Sequence, residues 1–185
     1  MKTWKTALLL GAVLSVSAAL IGYSLTNRKS ETASAAAATS GTGIGTSIGD
    51  TAPDFQLDRV DGTPVTLGDL RGQPAVLVFW TAWCPVCREE APHINQLAAE
   101  FEPRGVRVLG INIKDSHART EAGIRDFRIR YQVARDADAT IARRYKVTGT
   151  PTIVFLNSGG IVSYFANELP RDYAERLEAL ISEKG

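Results

Sequence analysis

Two cysteines carry most of the chemical information in this sequence of 185 residues. Cys84 and Cys87 are separated by two residues within the stretch FWTAWCPVCREEAPHI, and the chain has no other cysteine. Two thiols at this spacing can form and exchange a disulfide, supply half of a metal site, or pack as small apolar side chains. A disulfide between them would close a very short loop, which removes little entropy from the unfolded chain. A purely stabilising cross-link is therefore a poor explanation.

A metal site is the weaker of the two chemical alternatives. Structural zinc takes four protein ligands, and the sequence has no second cysteine pair. The two histidines, His93 and His117, stand alone and lack the spacing of zinc ligands. We therefore expect neither a bound metal nor another cofactor.

A redox couple has a direct physical basis. Cys84 falls at the predicted N-cap of a helix, Pro85 occupies the first helical position, and Cys87 follows one turn further in. The unpaired N–H groups and the positive end of the helix dipole favour a thiolate at Cys84, which makes it the expected nucleophile. Cys87 can then resolve the mixed disulfide. Trp83 and Trp80 offer a flat apolar surface for a partner peptide, although Trp80 fits equally well in the core.

The surrounding pattern predicts the elements that hold this pair. Two short strands flank DRVDG, whose Asp-Gly pair is typical of a hairpin turn. Continuous apolar runs predict the buried strands PAVLVFW, VRVLGINI and PTIVFL. The stretch NSGG is predicted to be a turn that connects the last of these to its hairpin partner IVSYF. Helical spacing follows the cysteines, with Pro92 as an expected kink, and recurs over residues 120–133, 139–147 and 170–184. The order β-α-β-α-β-β-α predicts an α/β domain with a central mixed sheet flanked by helices and an N-terminal β-hairpin extension.

The first 49 residues differ in composition from the rest. No charged residue occurs between Lys5 and Arg28, a run about as long as a transmembrane helix. Residues 1–29 are therefore predicted to be a single membrane-spanning anchor, with a cleaved signal peptide as the alternative. Residues 30–49 are rich in Ser, Thr, Ala and Gly and are predicted to be a flexible linker, followed by a domain of residues 50–185.

The stretch WCPVC, together with the later TGTPT, resembles a thioredoxin-fold protein, and the resemblance covers residues 50–185. In that fold the proline of the TP pair lies beside the cysteines in a cis peptide bond. The resemblance therefore implies a cis bond between Thr150 and Pro151, which is rare even before proline. Pro92 matches the kink of the helix that follows the cysteines.

More narrowly, the chain resembles the membrane-anchored TlpA/ResA/CcmG-type thiol–disulfide proteins, which have a redoxin, or AhpC/TSA-like, domain. The shared features are the anchor and linker, the opening IGDTAPDFQLDRVDGTPVTLGDLRGQPAVLVFW and the helix start WCPVCREEAP. The resemblance implies an extracytoplasmic enzyme that reduces specific protein disulfides, among them those of apocytochrome c, and is recharged by a membrane electron donor of the CcdA/DsbD kind. It further implies that client proteins contact Trp83, Pro85, Thr150 and Pro151.

Glu90, three residues after Cys87, matches a partly buried glutamate that ResA-type proteins hold near their cysteines. The resemblance implies a catalytic carboxylate that opposes thiolate formation or relays protons. The alternative is that Glu89 and Glu90 only stabilise the N-terminus of the helix. The buried aspartate of cytoplasmic thioredoxins is replaced by Val78, and its lysine partner by the region of Gly110, so that proton relay is absent.

Several functions stay open. An oxidase or isomerase would use the same dithiol, because the dipeptide Pro85-Val86 does not fix the reduction potential within a range of roughly −120 to −270 mV. A thiol peroxidase is suggested by the spacing of Thr81 and Cys84, although Leu77 stands where that motif expects a proline. A copper(I)-binding module would use the two thiols as ligands. The balance of 21 basic and 20 acidic residues excludes a global attraction to nucleic acid.

Overall fold

The computed structural model of the chain describes residues 43–183. The predicted anchor of residues 1–29 and the first part of the predicted linker lie outside the described residues. Between residues 43 and 183, no helix is both long enough and apolar enough to cross a membrane. Gly45 and Gly49, which the sequence assigned to the linker, donate backbone hydrogen bonds to the carbonyls of Thr51 and Val162. The domain boundaries themselves stay a prediction.

A single mixed sheet forms the centre of the described domain. Its strands are β1 (Gln56–Arg59), β2 (Pro64–Thr66), β3 (Ala75–Trp80), β4 (Arg107–Ile113), β5 (Gln132–Asp136), β6 (Thr152–Leu156) and β7 (Val162–Ala166). The helices are α1 (Pro85–Phe101), α2 (His117–Asp126), α3 (Thr140–Arg144) and α4 (Tyr173–Ser182). The strand order is β2-β1-β5-β4-β3-β6-β7. Strands β3, β4 and β5 are parallel, while β6 is antiparallel to β3 and β7 is antiparallel to β6. This sheet confirms the predicted α/β architecture.

Strand β3 explains the position of the cysteines. All six of its residues are buried, as expected of a central strand that is covered on both faces. Because side chains alternate along a strand, Leu77 and Phe79 enter one apolar cluster, and Val78 and Trp80 enter the other. The strand ends at Trp80, so the next residues leave the sheet at its carboxyl edge and lead directly into α1.

The predicted hairpin is confirmed. Strands β1 and β2 pair antiparallel, with Leu57 opposite Val65, and Gly62 in the connecting turn has φ 83°. Glycine reaches this left-handed region without the steric cost that a Cβ would bring. The other edge of β1 pairs with β5, which attaches the hairpin to the main sheet.

The predicted helix of residues 120–133 is wrong in its second half. Helix α2 ends at Asp126, and the chain then forms β5, so a strand separates the two predicted helical stretches. Arg128 has φ 54°, a left-handed conformation that breaks the helix without a glycine to mark it in the sequence. Val133 and Ala134 are buried in β5, which pairs with both β1 and β4. Sheet pairing thus overrides the helical spacing of this segment.

Candidate active site

The two cysteines form a disulfide at the start of α1. Cys84 and Cys87 are bonded through their sulfurs, with their Cα atoms 5.2 Å apart, well inside the range that disulfides adopt. The pairing predicted from the sequence is therefore confirmed. The bridge spans only three sequence positions, so it adds little to the cohesion of the fold.

The sequence also placed the beginning of the helix correctly. Cys84 is the N-cap residue in an extended backbone conformation, and Pro85 occupies the first helical turn. The Sγ atom of Cys84 accepts a hydrogen bond from the backbone N–H of Cys87 at 3.1 Å. When the disulfide is reduced, this N–H and the positive end of the helix dipole both favour negative charge on the Cys84 sulfur.

The two cysteines line different spaces. Cys84 lines an open groove of about 410 Å³ on the surface. The groove is formed by Ala82, Trp83, Cys84, Pro85, Arg88, Glu89 and Phe127. Cys87 instead lines a small cavity whose free space is about 10 Å³, close to the lower limit for one water molecule. Both cysteines are 5% exposed, so the difference between them lies in the spaces that they line and not in their burial.

The predicted proline loop lies against the disulfide. The Thr150–Pro151 peptide bond is cis, as the resemblance implied. The carbonyl oxygen of Thr150 lies 3.3 Å from the Cys84 sulfur, and Pro151 lines the same small cavity as Cys87. In the dithiol form the Cys84 S–H could donate to this carbonyl. The structure thus brings together two segments that are far apart in the sequence.

Asn167 supports this loop and was missed by the sequence analysis. Its side-chain amide donates to the carbonyl oxygen of Pro151 at 2.9 Å, and it lies within hydrogen-bonding distance of the Gly149 carbonyl and the Thr152 hydroxyl. A single asparagine after a strand gives no signal of such a role, because its partners lie 15 to 18 positions earlier in the chain.

The two tryptophans near the cysteines have different surroundings. Trp83 is 69% exposed and Val86 is 53% exposed, so an apolar rim borders the disulfide. Trp80 is buried and packs against Phe127 with ring centroids 5.6 Å apart. The structure therefore resolves the alternative left open for Trp80 in favour of the core, and leaves Trp83 as the exposed aromatic side chain beside the disulfide.

Glu90 lines the small cavity together with Cys87 and Pro151. Its side chain is 22% exposed, and its Oε1 atom lies 3.7 Å from Nδ1 of His93. Glu89 belongs instead to the outer groove. The two adjacent glutamates thus face different sides of the disulfide, and only Glu90 shares a cavity with the inner cysteine. Its catalytic role stays a prediction.

No potential metal site accompanies the disulfide in the described part of the chain. Between residues 43 and 183, no group of three or more His, Cys, Asp or Glu side chains is placed to hold a metal ion.

Val78 of β3 is buried and pairs with Gly110 of β4. Neither residue has an ionisable side chain, so these two positions cannot relay a proton beneath the disulfide.

Fold and disulfide together define the class of thioredoxin-fold thiol–disulfide oxidoreductases. The chain belongs to the AhpC/TSA family, whose family model matches residues 48–165. The sequence had indicated this redoxin-type domain, and both the resemblance and the enzyme class are confirmed.

Named relatives agree with this class. The chain is 32% identical over 117 residues to the thiol-disulfide oxidoreductase ResA of Oceanobacillus iheyensis, covering 61% of each chain. It is 37% identical over 117 residues to the thiol:disulfide interchange protein DsbE of Pseudomonas fluorescens biotype C, covering 62% of this chain and 64% of that one. The chain thus spans less than two thirds of the length of these two relatives.

A solved structure shares the fold. It is a secreted Mycobacterium tuberculosis disulfide oxidoreductase, described as homologous to E. coli DsbE. The TM-score is 0.59 at 30% identity, with 70% of this chain and 95% of that chain covered. The match extends over almost the whole of the solved protein, which supports the thioredoxin-like fold of the described domain.

Proposed function

We propose that this protein is a membrane-anchored reductase of particular disulfides in extracytoplasmic proteins. The observation that carries the proposal is the placement of the two sulfurs. Cys84 borders an open groove beside the exposed Trp83, while Cys87 borders a small cavity. Both cysteines are only 5% exposed, but Cys84 alone lines the surface groove where a protein client can dock, and Cys87 lies behind it, placed for an internal attack.

The proposed reaction has two exchange steps. The Cys84 thiolate attacks one sulfur of the client disulfide, which forms a mixed disulfide and releases the second client sulfur as a thiolate. The Cys87 thiolate then attacks the Cys84 sulfur, which re-forms the Cys84–Cys87 disulfide and releases the first client sulfur. The released thiolates take up protons, so two electrons and two protons pass to the client. A membrane electron donor of the CcdA/DsbD kind would restore the dithiol.

Client binding is assigned to the surface around Cys84. Trp83 and Pro85 form the apolar side of the groove, and the loop of Thr150 and Pro151 borders the disulfide. An extended segment around a client cysteine could rest on this surface. The paired cysteines of apocytochrome c are one such client, which the resemblance to the TlpA/ResA/CcmG type suggests.

The proposed location follows from the sequence and from one relative. Residues 1–29 would anchor the protein, residues 30–49 would form the tether, and the domain of residues 50–185 would act outside the cytoplasm. A disulfide persists more readily in an oxidising compartment than in the cytosol. The M. tuberculosis relative is described as secreted, which supports the same side of the membrane.

Reduction of insulin disulfides tests the proposed reaction. The reduced full-length protein should convert insulin to its separate chains while its own cysteines become oxidised, with one disulfide formed for each disulfide cleaved. Consumption of hydrogen peroxide without insulin reduction would support a thiol peroxidase instead. Tight binding of one Cu(I) ion without insulin reduction would support a metal-binding module. Either of these results would overturn the proposed function.

Replacing Trp83 by alanine tests the client surface. Because Trp83 is exposed, the change should leave the free energy of unfolding nearly unchanged. Loss of the aromatic contact should lower kcat/KM for insulin reduction by about fivefold to tenfold, with a smaller effect on a small disulfide such as oxidised glutathione. Trp83→Phe is the matched control and should retain most of the activity. Equal losses with insulin and with glutathione would contradict a role in client binding.

Glu90 is proposed to accept the proton of Cys87 during the resolving step, because it lies one turn further along α1 and lines the same cavity. Glu90→Gln should slow decay of the mixed disulfide about tenfold or more, as measured by stopped-flow after rapid mixing with a client disulfide. Glu89→Gln, on the outer groove, is the matched control and should change this rate little. Equal rates in both variants would contradict the assignment.

A further inference from the structure

A buried carboxylate lies beneath the loop that leads to Cys84. Asp115 follows strand β4 and is only 6% exposed. Its Oδ2 atom accepts a hydrogen bond from the backbone N–H of Ala82 at 2.7 Å. Ala82 precedes Cys84 by two residues, so this contact joins the active-site loop to the segment that follows the neighbouring strand.

Asp115 is itself held by other buried side chains. The Asn112 amide donates to the same Oδ2 atom at 3.0 Å, and the Thr120 hydroxyl donates to the Asn112 carbonyl oxygen at 2.8 Å. Asn112 and Thr120 are both almost fully buried. Buried polar side chains are costly unless they are hydrogen-bonded, and here the bonds form a chain from α2 through β4 to the loop.

The contact between Asp115 and Ala82 attaches the active-site turn to the rest of the domain. The Cys84 N–H donates to the Thr81 carbonyl at 3.2 Å, which shapes the turn but does not attach it to the rest of the domain. The Asp115 carboxylate makes that attachment, because its Oδ2 atom is the acceptor for the Ala82 N–H. Movement of Ala82 would displace both the exposed Trp83 and the Cys84 sulfur.

We propose that Asp115 is a positioning residue for disulfide exchange. Its carboxylate fixes the Ala82 amide and so orients Trp83 and the Cys84 sulfur toward the client groove. The effect on exchange rests on the proposed function, but the contact itself has a readout that needs no client.

The variants Asp115→Ala and Asp115→Asn distinguish the effect of losing the hydrogen-bond acceptor at position 115 from the effect of losing only its negative charge. Asparagine keeps an oxygen that can accept the Ala82 N–H, whereas alanine has none. In full-length Asp115→Ala we expect the Ala82 amide to exchange with deuterium about tenfold faster or more, and kcat/KM for insulin reduction to fall by about the same factor. Asp115→Asn should stay within about threefold of the wild type in both measurements. Rates are compared per folded protein, with the folded fraction taken from circular dichroism.

Two results would overturn the inference. The first is a folded Asp115→Ala variant that reduces insulin as fast as the wild type does, because Asp115 would then have only a structural role. The second is an Asp115→Asn variant as slow as Asp115→Ala, because the acceptor is then not what matters. If Asp115→Ala does not fold, Thr120→Val removes the hydroxyl that orients Asn112, and it should show the same changes at smaller size. Unchanged amide exchange and kinetics in that variant would also overturn the inference.

Failure of the proposed function would look different. In that case the wild type itself does not reduce insulin. The positioning contact would still be supported if the Ala82 amide exchanged with deuterium faster in Asp115→Ala but not in Asp115→Asn.

Discussion

The Cys84→Ser variant is expected to lose disulfide reduction almost completely, by roughly a thousandfold or more, because the nucleophile that forms the covalent intermediate is gone. The fold should survive, since serine is a favoured N-cap and its oxygen can accept the Cys87 N–H that the sulfur accepts now. The measurement is the rate of insulin reduction by each variant under identical reducing conditions.

Cys87→Ser is the matched variant and should fail in a different way. It keeps the attacking sulfur beside the open groove but lacks the thiol that resolves the mixed disulfide. We expect one client molecule to remain bound per protein, visible as an adduct in non-reducing electrophoresis and released by dithiothreitol. An adduct with Cys84→Ser and none with Cys87→Ser would reverse the assigned roles.

Gly123→Ala is expected to be the most damaging single-methyl change near the site. A Cβ at Gly123 would lie 2.8 Å from the Cβ of Ala82 and 2.8 Å from an atom of the Trp80 ring. In a free helix this substitution would stabilise by up to about 1 kcal/mol, but overpacking typically costs about 1–3 kcal/mol. Because the Trp80 ring is buried and packed, we expect the cost of overpacking to exceed the gain in helix propensity. The free energy of unfolding should therefore fall by about 1–2 kcal/mol.

Urea unfolding of the full-length protein measures this effect, with two controls. Gly43→Ala adds the same methyl where no atom lies within 4 Å and should be close to neutral. The double variant with Ala82→Gly removes one of the two collisions and should recover part of the lost stability. A Gly123→Ala protein as stable as the wild type would show that α2 can move away from the active-site loop, contrary to the packing described.

The site could be predicted well where local physics is sufficient. The apolar run of β3 and the Cys84-Pro85 start of α1 identify a strand, a turn and a helix N-terminus from neighbouring residues alone. The disulfide follows from that geometry, since two cysteines three positions apart at a helix start are close in space. The cis bond before Pro151 came from the resemblance and not from local pattern.

The parts that were missed depend on contacts between distant segments. Strand β5 is set by pairing with β1 and β4, and the left-handed Arg128 before it carries no sequence mark. Asp115 looks like an acid near a helix start, yet its carboxylate binds the Ala82 amide, which lies 33 positions earlier. Such roles are fixed by the sheet order, which the pattern of apolar residues does not specify.

The reduction potential of the Cys84–Cys87 couple tests the central claim most directly. The full-length protein would be equilibrated with glutathione and dithiothreitol buffers, and its free thiols would be trapped by alkylation and counted by mass spectrometry. A reductase that is recharged at the membrane should have a potential of about −220 mV or lower. A potential near about −120 mV, as in strong oxidants, or a disulfide that cannot be reduced and re-formed, would contradict the account.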